Sequence, residues 1–224
     1  MTNMRKTIFG LLLVASSAAA NATVIEHIEN GDFEAGNFTG WTIQNSGSGN
    51  WFINNGTFNP AGPTGAQAVI GGSFDSVTSQ SGPGVHNLFQ DILLPNQFGS
   101  AILSWDDRII NTASTFSDPN QEWRVLVEDL SSSFAIEVFS TNPGDVNQIG
   151  PNFHLVDLTS ILQPLGGQTV RVSFEEQDNL SFFNTSLDNV SFTTENIAVP
   201  EPASIALLGL GLAGLGFSRK KKVA

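Results

Sequence analysis

The side chains of this chain that could do chemistry are carboxylates and three histidines; there is no cysteine. Without thiols there is no Cys nucleophile, no Cys–zinc site and no disulfide. His27, His86 and His154 are scattered and lack H-E-x-x-H spacing, so they read as surface or hydrogen-bonded residues rather than ligands. No G-x-S-x-G elbow is present. Asp106-Asp107 and Glu175-Glu176 are adjacent acid pairs, and paired carboxylates are what glycoside hydrolysis uses. Neighbours on a strand point to opposite faces, however, so neither pair can act as a dyad, and both read as solvated strand ends. Asp118, Asn120 and Glu122 have the opening spacing of an EF-hand loop, and Asp129 falls at its twelfth position. Trp123 stands where that loop needs glycine for its sharp turn, and an EF-hand is rejected, with a looser ion site as the alternative. These residues point to a protein that is not an enzyme, with a site built from distant carboxylates as the alternative.

The elements that position these residues lie between two end signals. Arg5 and Lys6, the apolar run Ile8 to Val14, and the A-x-A site Ala20-Asn21-Ala22 make residues 1–22 a secretory signal peptide, with cleavage expected before Thr23. At the other end Val199-Pro200-Glu201-Pro202 precedes an apolar stretch, Ala203 to Phe217, and then Arg219-Lys220-Lys221-Lys222. A basic cluster after an apolar stretch holds that end in the cytoplasm, so both signals place the intervening chain beyond the inner membrane. Four glycines weaken the apolar helix, and it is short for a full span, which suits a transient anchor; a permanent tail anchor is the alternative.

What remains, 23–198, suits one domain. It holds 20 acids against Arg108, Arg124 and Arg171, a formal charge of −17, where the whole chain carries −12. Such a body repels nucleic acid and anionic lipid and attracts divalent cations. Its pattern is that of strands. In TVRVSF, Val170, Val172 and Phe174 fall on one face and Thr169, Arg171 and Ser173 on the other. Ala101 to Trp105, Trp123 to Glu128, Phe134 to Phe139 and Val190 to Phe192 read likewise, with a short helix near Asp157 to Leu162. Turn-like stretches separate them, which predicts an all-β, two-sheet antiparallel sandwich. Asn45 to Gly65, rich in Gly and Asn, is expected to be one long mobile loop.

Two motifs carry a resemblance. NGDFEAGNFTGW, from Asn30 to Trp41, and SLDNVSF, from Ser186 to Phe192, resemble the opening and the final strand of carbohydrate-binding-module jelly rolls of the galactose-binding-like superfamily. Leu88 to Trp105 is similar to that family's central strands. VPEPASIALLGLGLAGLGFSRKKK resembles the PEP-CTERM sorting signal. That second resemblance implies that an exosortase recognises Pro200-Glu201-Pro202 and removes the tail. It also implies an inner-membrane-anchored intermediate that ends at the cell surface or extracellular matrix of a Gram-negative bacterium.

The jelly-roll resemblance implies sugar binding, which needs exposed aromatic platforms. Trp51, in the Gly/Asn-rich loop, is the expected platform, with Phe52 and Phe58 nearby and Asn54, Asn55 and Gln67 as hydrogen-bonding groups; Trp41, Trp105 and Trp123 fit strand patterns and read as core. The absence of any tyrosine is unusual for a sugar-binding face. Asp188 shares the parity of Val190 and Phe192, which would turn its carboxylate to the core, where it needs a cation or several donors; capping a turn is the alternative. The resemblance implies a structural calcium shared between the two motifs. That brings Glu34 to Asp188, with Asp32 and the backbone oxygens around Gly36 and Asn37 completing the shell. The expected function is a non-catalytic surface or matrix protein that binds polysaccharide. A purely structural, self-associating matrix protein and a glycan-active enzyme are the alternatives.

Overall fold

The computed structural model describes residues 22–62, 65–80, 82–113, 116, 120–131, 134–197, 209, 211 and 212. The signal-peptide run before Ala22, the Pro200-Glu201-Pro202 motif, the basic tail and Asp118 lie outside the described residues, as does the tail's apolar stretch except at three positions. Among the described residues no helix is long and apolar enough to cross a membrane.

The body, Thr23–Ile197, consists of strands. In chain order these are β1 (Val24–Glu26), β2 (Thr42–Gly47), β3 (Asn50–Asn54), β4 (Asp75–Ser79), β5 (Gly84–Leu93), β6 (Ser100–Asn111), β7 (Gln121–Asp129), β8 (Phe134–Ser140), β9 (Gln148–Asp157), α1 (Thr159–Leu162), β10 (Thr169–Asp178) and β11 (Phe183–Glu195). One sheet runs β3-β4-β11-β6-β9, with β1 also on β11; the other runs β2-β5-β10-β7-β8, and all pairings are antiparallel. This is the expected two-sheet β-sandwich.

Alternation explains the strands. In β6, Ala101, Leu103, Trp105, Asp107 and Ile109 are buried, while the residues between them are half-exposed. In β10 the inward set is Val170, Val172, Phe174 and Glu176. Phe174 sits at the centre of an aromatic cluster, with ring centroids 6.1 Å from Trp41, 5.9 Å from Trp105 and 6.1 Å from Trp123. Each such ring contributes about 1.5–3 kcal/mol by burial. With no disulfide, this packing holds the layers together.

The stretch 45–65 is not one loop. It contains the end of β2 and all of β3, because Asn50 to Asn54 pairs in register with Ser79 to Asp75. Pairing to β4 outweighs the Gly/Asn composition that suggested a loop.

Candidate functional site

The strand at 50–54 overturns the expected sugar platform. Trp51 lies on the inner face of β3 and is 2% exposed, its ring 6.0 Å from that of Trp123. A ring inside the sandwich cannot meet a sugar, and Trp51 is core. Asn54 is fully buried; it donates to Asp75 Oδ1 at 2.7 Å and accepts from the Gly56 N–H at 2.8 Å, so it closes a turn instead of reaching a ligand. Phe52 is on the outer face, with its ring stacked 4.8 Å from that of Phe58. Gln67 is buried and accepts from Ser186 Oγ.

The two motifs of the jelly-roll resemblance do meet. The Val190 N–H donates to Gly31 O at 2.9 Å, and a Cβ on Gly31 would stand 1.9 Å from Val190 O, so only glycine fits there. Phe33 is fully buried and stacks on Trp41, whose Nε1 donates to Asn30 O.

Asp188, however, does not share a face with Val190 and Phe192. The β6–β11 register shifts between Asp188 and Ser191, with Asn189 at φ 51°. This bulge reverses the parity. Asp188 pairs with Asp106 on the outer face of the six-stranded sheet, while Phe192 pairs with the buried Leu103. It is buried nonetheless, because the segment around Gly71 and Gly72 crosses over it. A Cβ on Gly71 would lie 2.7 Å from Asp188 Oδ2, and one on Gly72 would lie 1.9 Å from Glu34 Oε1.

Four carboxylates therefore gather under this segment. Burial, with Asp75, Asp106 and Glu34 nearby, pushes Asp188 up to about 7. Burial likewise raises Asp75 to about 6. Glu34 is held below its ordinary value by the N–H groups of Ser73 and Phe74. Of the expected calcium ligands, Glu34 and Asp188 come together. Asp32 Oδ1 is occupied by the Glu34 N–H, and Gly36 lies against the Phe74 ring. Several of these carboxylate oxygens accept from protein donors: Asn54 and the Ile70 N–H for Asp75, Asn189 Nδ2 for Asp106, the Asn189 N–H for Asp188. Among the described residues no three His, Cys, Asp or Glu side chains are arranged to hold a metal ion. The cluster carries the charge that attracts a divalent cation.

The acid pairs split as strand geometry requires, but their inner members are not solvated. Asp107 is fully buried; its Oδ2 accepts from Trp105 Nε1 at 3.0 Å and Trp123 Nε1 at 3.1 Å, and its Oδ1 accepts from Asn152 Nδ2 at 3.0 Å. Glu176 is also fully buried, its Oε2 accepting from the hydroxyls of Thr78 and Thr185. Burial holds the Glu176 carboxyl well above its ordinary value. Their neighbours face outward, Glu175 against Arg124 and Asp106 towards Asn189. His86, Gln121 and Asp178 are buried at the same end as Glu176, so the core turns polar there.

That end also carries a pocket of about 310 Å³. Gly82 and Pro83, from the β4–β5 turn, face Asp178, Asn179, Leu180, Ser181 and Phe182 of the β10–β11 turn. The β10–β11 wall is fixed from behind. Gln121 Nε2 donates to Ser181 O at 3.1 Å, Gln121 Oε1 accepts the Leu180 N–H at 3.3 Å, and the Thr112 and Ser181 hydroxyls lie 2.9 Å apart. Leu180 stays exposed. Pro83, Leu180 and Phe182 supply apolar surface, and Asp178, Asn179 and Ser181 supply polar groups, the mixture that a small ligand pocket uses. Sequence reasoning missed this site, whose signal was only a turn-like run of polar residues.

Comparison with known proteins gives matches at both levels. Residues 198–220 match the PEP-CTERM protein-sorting motif. No curated protein matches the chain. The xylan-binding domain CBM22-1 of Paenibacillus barcinonensis Xyn10C superposes with a TM-score of 0.50 at 13% identity, over 81% of this chain and 100% of that one. A CBM61 module solved with β-1,4-galactotriose aligns with a TM-score of 0.49 at 13% identity, over 75% of this chain and 97% of that one. The K3 adhesin domain of Lys-gingipain from Porphyromonas gingivalis aligns at 0.48 and 20% identity, over 76% and 99%. The sorting motif indicates export and surface localisation in Gram-negative bacteria and implies exosortase processing. The chain thus carries a PEP-CTERM sorting motif, and its body has the β-sandwich fold of carbohydrate-binding modules.

Proposed function

We propose that this is a non-catalytic, exosortase-processed surface protein that holds extracellular polysaccharide in the pocket between the β4–β5 and β10–β11 turns. The observation that carries the reading is the pocket itself: a preformed cleft of about 310 Å³ with an apolar side and a polar side, fixed from behind by Gln121 and Thr112. A sugar ring has the same two characters, C–H faces and hydroxyls. Among the described lining residues Asp178 is the one carboxylate, where glycoside hydrolysis uses a pair, and the reading is therefore binding.

Affinity electrophoresis through gels containing the organism's own exopolysaccharide tests the site. Asn179→Ala and Leu180→Ala are each expected to weaken retardation about fivefold, the value of one hydrogen bond or apolar contact. Unchanged retardation in both would place the ligand elsewhere. Processing is proposed to leave a mature chain that starts at Thr23 and ends near Pro200-Glu201-Pro202 after a membrane-anchored intermediate. Intact mass of protein recovered outside the cell checks this, and a chain still carrying Arg219-Lys220-Lys221-Lys222 would refute it.

A further inference from the structure

The free edge of β9 is the least protected part of the described body. Among the described residues β9 ends the six-stranded sheet, with no strand beyond it. Ile149, Phe153 and Leu155 are 70%, 67% and 60% exposed, and Val146 just before the strand is exposed too. Phe153 pairs with Asp106 and Leu155 with Ser104, so both project from the outer face of the sheet. Pro151 has no N–H to offer, which leaves Asn152 to Asp157 as the stretch able to accept another strand. Exposed, flat, apolar edges are what folded proteins ordinarily avoid, using charge, bulges or cover.

Charge selects the occupant. The body from 23 to 198 carries 20 acids and three arginines. All three arginines are engaged: Arg124 with Glu175, Arg171 with Asp91, and Arg108 on Ala68 O. Two copies therefore repel over most of their surfaces. From Val146 to Val156 there is no Asp, Glu, Lys or Arg. An equally acidic body approaching here meets acids only at the strand's end, Asp157, and on the neighbouring strand at Asp106, and a second β9 brings a strand of matching length. A two-fold axis beside the edge would set Phe153 and Leu155 of each copy against those of the other, as an isologous interface requires.

We propose that a second copy of this chain docks here, β9 antiparallel to β9, joining two six-stranded sheets into one. The pocket lies on other elements, so a pair would present two pockets to one polymer and gain by avidity. The dimer is expected to tighten with salt, since screening removes the repulsion and leaves the apolar contact. A basic partner would behave in the opposite way.

Sedimentation equilibrium of the mature protein tests the proposal, at concentrations up to roughly 100 μM and in about 0.05 and 0.5 M NaCl. Wild type is expected to dimerise, more tightly at the higher salt. Leu155→Lys and Phe153→Ser are each expected to weaken the dimer at least about tenfold. Gln44→Lys, on the edge strand β2 of the other sheet, should leave it unchanged. Circular dichroism melting of each variant separates lost association from lost fold. A monomeric wild type under all conditions would overturn the proposal. So would a dimer that survives Leu155→Lys and Phe153→Ser, or one that weakens as salt is added. Retardation by exopolysaccharide reports separately on the pocket.

Discussion

The two edges of the six-stranded sheet are held by opposite physics. β3 is pinned by an indole: Trp51 is buried under the sandwich, and outside it Phe52 is roofed by Phe58 from the following loop. β9 is pinned by a carboxylate. Its inner face offers Asn152 to the buried Asp107 and stacks His154 on Trp105 at 4.7 Å, while its outer face stays bare and apolar. Among the described residues one edge is finished by its own chain and the other is left open. Burial alone therefore does not mark a working surface here; the best-packed Trp is structural, and the exposed leucine and phenylalanine are where contact is available.

The largest expected effect is on the finished edge. Trp51→Ala should cost about 3–5 kcal/mol in denaturant unfolding, whereas Phe52→Ala one residue away should cost less than about 1 kcal/mol. Equal costs would erase the distinction between the two faces of β3. On the other edge Asp107→Ala should cost about 3 kcal/mol, because it strands the indole N–H groups of Trp105 and Trp123 and releases Asn152. If Asp107→Ala melts like wild type, β9 is held by something other than this carboxylate.

A smaller effect concerns pH. Asp188 and Asp75 are raised from an ordinary 3.8 to about 7 and about 6, chiefly by burial. A raised carboxyl means that folding favours the protonated form. The associated stability is complete below about pH 4 and is lost as pH rises towards 7. The protein should melt higher at pH 5 than at pH 8. Allowing for solvent screening, Asp188→Asn should recover about 1–2 kcal/mol at pH 8. A wild-type melting temperature that climbs from pH 5 to 8, with no gain from Asp188→Asn, would contradict the crowding of carboxylates under Gly71. Smallest of all is the stability change in Leu155→Lys, expected within about 0.5 kcal/mol because its side chain contributes little to the monomer. A larger loss would mean that Leu155 is already packed.

Much of the fold was legible because alternation in β6, β7 and β10 is strict enough to be read from Leu103 and Trp105, Trp123 and Val125, or Val172 and Phe174. The end motifs were legible too, since Gly31 and Val190 answer to one contact between the first turn and the last strand. The site was not. Trp51 looked like a loop residue because the glycine and asparagine around it hide a five-residue strand whose partner, β4, is itself short and polar. Parity failed at Asp188 because a single bulge at Asn189 reverses every side chain before it. The pocket depends on two turns brought together by the sandwich, about 95 residues apart in the chain, and nothing in either turn alone refers to the other.

The central claim, that a glycan sits between these two turns, is tested most directly by NMR. The measurement is titration of ¹⁵N-labelled mature protein with oligosaccharides released from the organism's exopolysaccharide. The account predicts saturable shifts confined to Gly82 and to Asp178 through Phe182, with Asn50 to Gly56 and the β9 edge unmoved. Shifts centred on Phe52 and Phe58, or none at concentrations where the polymer itself retards the protein, would contradict it.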